Sequence, residues 1–358
     1  MTIVPERPAV HPPALAPGGG AVLTIGAFDG VHVGHQALIH TARAVARERG
    51  AGRVVALVFD PSPAVLLAPM NVPSRLTSFE RRRELLLAAG ADEVVRLEPT
   101  PELLGLEAET FIRRCVEQYR PVAFVEGPDF HFGRKRGGDV ETLGRLGAAM
   151  GFAVRVVEPV EVALTNHQLV PARSTVVREL LGLGRVRDAV AVLGRFYEVE
   201  GTVVRGDQRG RTIGYPTANV ASECLAPGDG VYAGRATLPD GRVLGAAISV
   251  GTKPTFGANQ RAVEAFLLRP DLGDGSGAAA WSPIEGLSEY GWPIRLEFIG
   301  WVREQVKFGG LPALLAQMGR DIERVRRMVD EAADGTAATG GTVVPAVNHR
   351  REPREAIA

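Results

Sequence analysis

Ala21-Val22-Leu23-Thr24-Ile25-Gly26-Ala27-Phe28-Asp29-Gly30-Val31-His32-Val33-Gly34-His35 decides the fold of this 358-residue chain. It opens on an unbroken apolar and β-branched run, the texture of a strand buried on both faces. A Gly/Asp turn follows. From about His35 to Glu48, Leu38, Ala42 and Val45 recur at helical intervals, and Gly50 is placed to end that helix. Val54 to Phe59 reads as a second buried strand and Val122 to Glu126 as a later one. Strand, crossover helix and strand predict a parallel, Rossmann-like α/β sheet over residues 21–190.

Beyond the segment from Leu181 to Phe196, which holds three glycines and forms the expected domain junction, the texture changes. Tyr197 to Val204, Tyr232 to Thr237, Val243 to Val250, Ala262 to Leu268 and Ile294 to Trp301 are short apolar runs separated by Gly, Pro and Asp turns. Such spacing predicts a small antiparallel barrel over residues 191–333. A final helix closes it, with Leu311, Leu314, Leu315, Met318, Ile322 and Val325 along one stripe. Residues 1–20 and 334–358 are rich in Pro, Gly, Ala and Thr or in charge, and are expected to be disordered tails.

Lys plus Arg and Asp plus Glu number 41 each, so no net field recommends a nucleic-acid or membrane partner. The arginine runs 81–83 and 134–136 are expected to be solvated faces. No apolar run reaches the length of a membrane span, and no secretory leader is evident. Cys115 and Cys224 stand in unrelated contexts, with no disulfide framework or metal knuckle, which fits a reducing cytoplasm. Cys115 reads as a small core residue.

Parallel sheets bind ligands beyond the carboxyl ends of their strands. His32-Val33-Gly34-His35 falls at such an edge, where a helix N-terminus offers free N–H groups and a positive dipole end to an anion. Gly30 and Gly34 permit close backbone approach, and two imidazoles can stabilise charge developing on a phosphate. Taken alone, the pair also reads as two structural histidines. A second glycine-rich stretch, Gly201 to Asn219, contains Gly206, Gly210 and Arg211, suited to wrapping a polyphosphate. The Thr217 hydroxyl and Asn219 amide are oxygen donors of the kind Mg²⁺ accepts beside ATP phosphates.

In this order the two stretches resemble the prokaryotic bifunctional riboflavin kinase/FAD synthetase family over most of the chain. The Gly26-Ala27-Phe28-Asp29-Gly30 turn with His32 and His35 is similar to its FMN adenylyltransferase signature. Asp129-Phe130-His131-Phe132-Gly133 resembles a second element. Ser174-Thr175-Val176-Val177-Arg178 resembles a third, in which Ser and Thr open a helix over the triphosphate and Arg178 points at the same anion. Gly201 to Asn219 is similar to the riboflavin kinase signature. The resemblance implies Glu264 as the base of phosphorylation, a residue that by itself reads equally as a solvated carboxylate. It also implies Arg303 and Phe308 beside the flavin, and Gly251 to Phe256 as a further kinase element.

The chain departs from the family pattern at Ala27, Ser62, Arg173 and Lys253. It also carries a Gly/Ala/Ser-rich insertion over 269–289, expected to be a mobile surface loop near the flavin. The expected activity is ATP- and Mg²⁺-dependent conversion of riboflavin to FMN and of FMN to FAD, with Phe256, Phe266 and Phe298 supplying an apolar slot in the barrel interior. A kinase with a weakened or redirected first unit is the alternative, and a non-catalytic flavin or nucleotide binder a third reading. The sequence leaves oligomeric state open.

Overall fold

The computed structural model describes residues 20–252, 261–269 and 282–335. Residues 1–19 and 336–358 of the two tails, Lys253 to Phe256 and most of the insertion lie outside the described residues. β1 (Ala21–Gly26), β2 (Arg53–Phe59), β3 (Glu93–Leu97), β4 (Pro121–Glu126) and β5 (Ala153–Val156) form one parallel sheet in the order β3-β2-β1-β4-β5. Val22, Leu23, Val54, Val55 and Phe124 are fully buried, as a sheet covered on both faces requires. The order reverses between β1 and β4, which is where a doubly wound sheet opens its ligand crevice. Past Leu23 and Phe124 the two strands part, and buried Glu126 accepts a hydrogen bond from Ile25 N–H (2.8 Å) where the ladder lapses.

A hairpin of β6 (Glu161–Ala163) and β7 (Leu169–Pro171) leads to two helices, Ser174–Gly182 and Val186–Leu193. Then β8 (Tyr197–Val204), β9 (Thr217–Ala221), β10 (Gly230–Thr237), β11 (Val243–Thr252), β12 (Arg261–Leu267) and β13 (Pro293–Arg303) close a barrel in the order β10-β11-β12-β9-β8-β13. The helix Leu311–Ala333 packs outside it through Ile322, Val325 and Met328. In the barrel β9 is the strand that patterning missed, because its residues sit inside the glycine- and proline-punctuated stretch; in the first unit β3, β5, β6 and β7 were not read individually either. The Val33–Glu48 helix begins two residues earlier than expected, since His32 is its cap.

Large side chains fill the described part of the barrel interior. Phe298 meets Tyr232 edge-on (5.3 Å) and lies against Tyr197, with Val199, Ile248 and Leu296 filling the rest. Among the described residues no slot for a flavin ring opens there, and Phe298 is a core residue. Phe266 faces outward and is covered by Tyr215 and Ile322.

The junction is a packed layer. Val177, Leu181, Val186, Val192 and Leu193 from its two helices share one apolar core with the barrel interior. Polar contacts reinforce it. Arg81 forks onto Glu198 (2.7 and 3.0 Å), Ser78 bonds to Glu200, and Arg295 bridges Glu84 and Glu200. Arg82, expected on a solvated face, is 3% exposed. No helix among the described residues is long and apolar enough to cross a membrane.

Candidate active sites

The first site is built on a strained turn. Between β1 and the Val33–Glu48 helix the backbone is left-handed at Phe28 (φ 48°), Gly30 (83°) and Val31 (40°). A β-branched residue such as Val31 holds that conformation only when its surroundings impose it. Several side chains do so. The Asp29 carboxylate accepts from Leu76 N–H (3.0 Å) and Thr77 N–H (3.1 Å) and pairs with Arg178 at 2.6 Å. Arg178 also donates to Ser74 O (2.7 Å), and Ser174 Oγ to Asp29 O (2.7 Å). Arg82 donates to the carbonyls of Ala27 (2.8 Å) and Phe59 (3.2 Å). Arg195 donates to Gly30 O (2.8 Å) and Val31 O (3.2 Å).

His32 caps the helix by accepting from His35 N–H at Nδ1 (3.3 Å), so its proton sits on Nε2. The two imidazoles stack with centroids 3.6 Å apart, and Phe28 meets His35 edge-on. Burial, aided by Arg195 and Arg178, pulls the His32 pKa down to about 3. Burial also holds His35 well below its ordinary value. Both are therefore neutral at pH 7. They can act as hydrogen-bond donors to a phosphate, while the positive charge comes from Arg178, Arg82, Arg195 and the helix N-terminus. A Cβ on Gly34 would lie 3.1 Å from both His32 Nδ1 and Ala172 O, so glycine keeps the pair in place.

Next to the turn opens a mostly apolar cavity of about 530 Å³, lined by Gly26, Phe59, Ser62, Phe111, Phe130 and Phe132. That volume suits a planar ring system. Asp129 stands at its mouth, largely exposed, with Arg173 3.7 Å away. Arg173 occupies the N-cap of the Ser174–Gly182 helix without a capping side-chain bond. Ser174 thus spends its hydroxyl on the Asp29 carbonyl, not on the cap, and Thr175 is exposed on the first turn. Gly26, Phe28, Gly30, His32, Gly34, His35, Ser174 and Arg178 converge on the turn. Arg82 and Arg195 join them although patterning gave no sign of either.

The second site lies on the outside of the barrel. β11, β12 and β9 place Ser249, Glu264 and Asn219 in one cross-strand row, with Thr217 opposite Phe266. Ile248, Val263, Ala265 and Val220 fill the interior. Strand alternation therefore projects Ser249, Glu264, Asn219 and Thr217 outward. Gly206, Gly210, Arg211, Thr217, Asn219 and Tyr290 line a cleft beside this row. Arg211 donates to Tyr290 Oη (2.9 Å) and pairs with Glu289, and Gln208 donates to the same hydroxyl (2.8 Å). The end of the insertion thus abuts the glycine-rich loop. A larger hollow of about 350 Å³ runs from Asn219 and Ala262 past Ser222 and Leu225 to Ser74 of the first unit.

Arg303 is held by buried Asp321 of the final helix (Nε to Oδ2, 2.9 Å) and lies over the Phe308 ring at 5.5 Å. Gln305 donates to Ser249 Oγ (2.9 Å), which brings this segment to the edge of the Glu264 row. Among the described residues no three His, Cys, Asp or Glu side chains cluster as a metal site. Thr217 and Asn219 instead offer hard oxygen donors, which fits an ion that takes its other ligands from phosphate and water, as Mg²⁺ does.

Comparison with known proteins agrees with both halves. The FAD synthetase family profile matches residues 16–168 and the riboflavin kinase profile residues 193–329. The bifunctional riboflavin kinase/FMN adenylyltransferase of Escherichia coli (strain K12) is 32% identical over 319 residues, covering 87% of this chain and 94% of the relative. Its counterpart in Bacillus subtilis (strain 168) is 30% identical over 315 residues, covering 86% and 92%. A crystal structure from Streptococcus pneumoniae, described as a macrolide-efflux protein, superposes with a TM-score of 0.73 at 27% identity, covering 87% of this chain and 95% of that one. The chain belongs to the bifunctional riboflavin kinase/FMN adenylyltransferase family.

Proposed function

We propose that the two sites act in sequence on one flavin, the first unit comprising residues 21–190 and the second 191–333. In the barrel, the terminal ribityl hydroxyl of riboflavin attacks the γ-phosphorus of ATP, its proton passes to Glu264, and FMN and ADP leave. In the Rossmann-like unit, a phosphate oxygen of FMN attacks the α-phosphorus of a second ATP. The bond to pyrophosphate breaks, and FAD forms.

Each residue has a physical task. Gly206, Gly210 and Arg211 receive the polyphosphate. Thr217 and Asn219 would hold Mg²⁺, which when bound would neutralise charge on the ATP phosphates. Arg303 and Phe308 border the flavin outside the barrel, under the final helix. At the other site Gly26, Phe28, Gly30 and Gly34 shape the turn. His32 and His35 donate to phosphate oxygens as neutral imidazoles, and Ser174, Thr175 and Arg178 meet the triphosphate. Asp129 stands at the ring cavity.

The observation that supports this reading best is the cross-strand row of Asn219 and Glu264 beside the glycine-rich loop, in the same chain as the paired imidazoles at the sheet's switch point. Purified protein with riboflavin, ATP and Mg²⁺ should accumulate FMN and then FAD, followed by chromatography over time. FMN without FAD would refute the second step, and neither product would refute both.

A further inference from the structure

We propose that Arg195 is a positioning residue for adenylyl transfer, supplied to the first site from the junction with the second unit. The inference rests on the reading of the His32–His35 turn given above. Arg195 follows the Val186–Leu193 helix, where Gly194 turns left-handed at φ 72°. Its guanidinium donates to three carbonyls: Gly30 (2.8 Å), Val31 (3.2 Å) and Leu193 (3.4 Å). Gly30 and Val31 are the left-handed pair immediately before His32. Gln36 adds bonds to Val31 O (3.0 Å) and Leu193 O (2.9 Å), so turn and junction are tied twice.

The direction of those carbonyls fixes the peptide planes that lead into His32. They in turn set where the His32 Nε2–H and the first free N–H groups of the helix point. An apolar side chain of similar length would leave the turn free to relax from its strained φ values. The imidazoles would then drift from the α-phosphate, while the glycine-rich loop and the Glu264 row, which Arg195 does not touch, would stay as they are.

The full-length chain carries its own control, because phosphorylation reports on the barrel in the same sample. Arg195→Met should lower kcat for FAD formation from supplied FMN on the order of 10²-fold, the cost of about 1 Å of misplacement, and leave FMN formation within about twofold. Arg195→Lys, whose ammonium can still donate to these carbonyls, should recover at least about tenfold of the loss. Unchanged adenylylation in Arg195→Met would overturn the proposal. An equal fall in both activities would also overturn it, since Arg195 would then be a general brace. A wild-type protein that makes FMN but never FAD would instead identify the underlying site reading as the failure, and the inference falls with it.

Discussion

Replacing Gly206 by alanine tests the barrel site through a single added methyl group. A Cβ there would stand 2.5 Å from Asn219 Oδ1 and nearer still to its amide nitrogen. Non-bonded carbon contacts settle at about 3.5 Å, so the Asn219 side chain must withdraw by about 1 Å or rotate away from Glu264. A shift of that size in a positioning group costs on the order of 10²-fold in rate, or about 2.7 kcal/mol of transition-state stabilisation. Overpacking itself costs about 1–3 kcal/mol of stability, so the protein stays folded at assay temperature. Initial rates of FMN formation from riboflavin should fall about a hundredfold, while FAD formation from supplied FMN stays within about twofold. A Gly206→Ala protein that phosphorylates riboflavin within about threefold of wild type would refute the placement of Asn219 beside the reacting phosphate.

Three other perturbations follow the same logic. Asp29→Ala strands the Leu76 and Thr77 amides and releases Arg178. It should cost about 1–3 kcal/mol in thermal unfolding and abolish FAD formation before FMN formation. His32→Asn keeps a helix cap but removes a group whose pKa falls from 6.5 to about 3 on folding. Such a group contributes stability above pH 6.5 that is lost as the pH falls toward 3, at up to about 1.4 kcal/mol per pH unit. The variant's melting temperature should therefore decline less between pH 6.5 and 5, with adenylylation lost at every pH. Glu126→Gln retains the acceptor for Ile25 N–H but not the titration. Burial raises the wild-type carboxyl well above 4.5, so wild type is favoured at low pH and loses stability as pH rises. The glutamine variant should unfold at the higher temperature at pH 8, by calorimetry.

Much of the sheet was legible because Val54 to Phe59 and Ala21 to Ile25 are short, β-branched apolar runs bounded by turn residues, as a doubly covered strand makes. The five barrel strands that were read carry alternation strong enough to survive without context. Thr217 to Ala221 does not, since it follows directly on Gly214 and Pro216 and carries a single large apolar residue, Val220. The turn residues of the first site could be read because glycine and histidine spacing is local. Arg82 and Arg195 could not, because an arginine that serves backbone carbonyls across 55 or 165 positions leaves no periodic trace. The same holds for Glu289 and Tyr290, which meet Arg211 only once the barrel has closed. The outward placement of the Ser249, Glu264 and Asn219 row follows from register. Pattern shows that residues alternate along β12, whereas pairing with β9 and β11 shows which side Glu264 takes.

The apolar layer that the junction helices share with the barrel gives the two activities a common fate. Val177, Leu181 and Val192 cannot leave it without opening the barrel core, nor can Phe298 and Leu296 without exposing those helices. A chain built this way loses or keeps both reactions together when it denatures. A ligand that binds the barrel alone should therefore protect the His32–His35 turn against heat by mass action. In a cell, a destabilising substitution anywhere in that layer would deplete FMN and FAD supply in step, and the ratio of the two would reveal only lesions at the sites themselves.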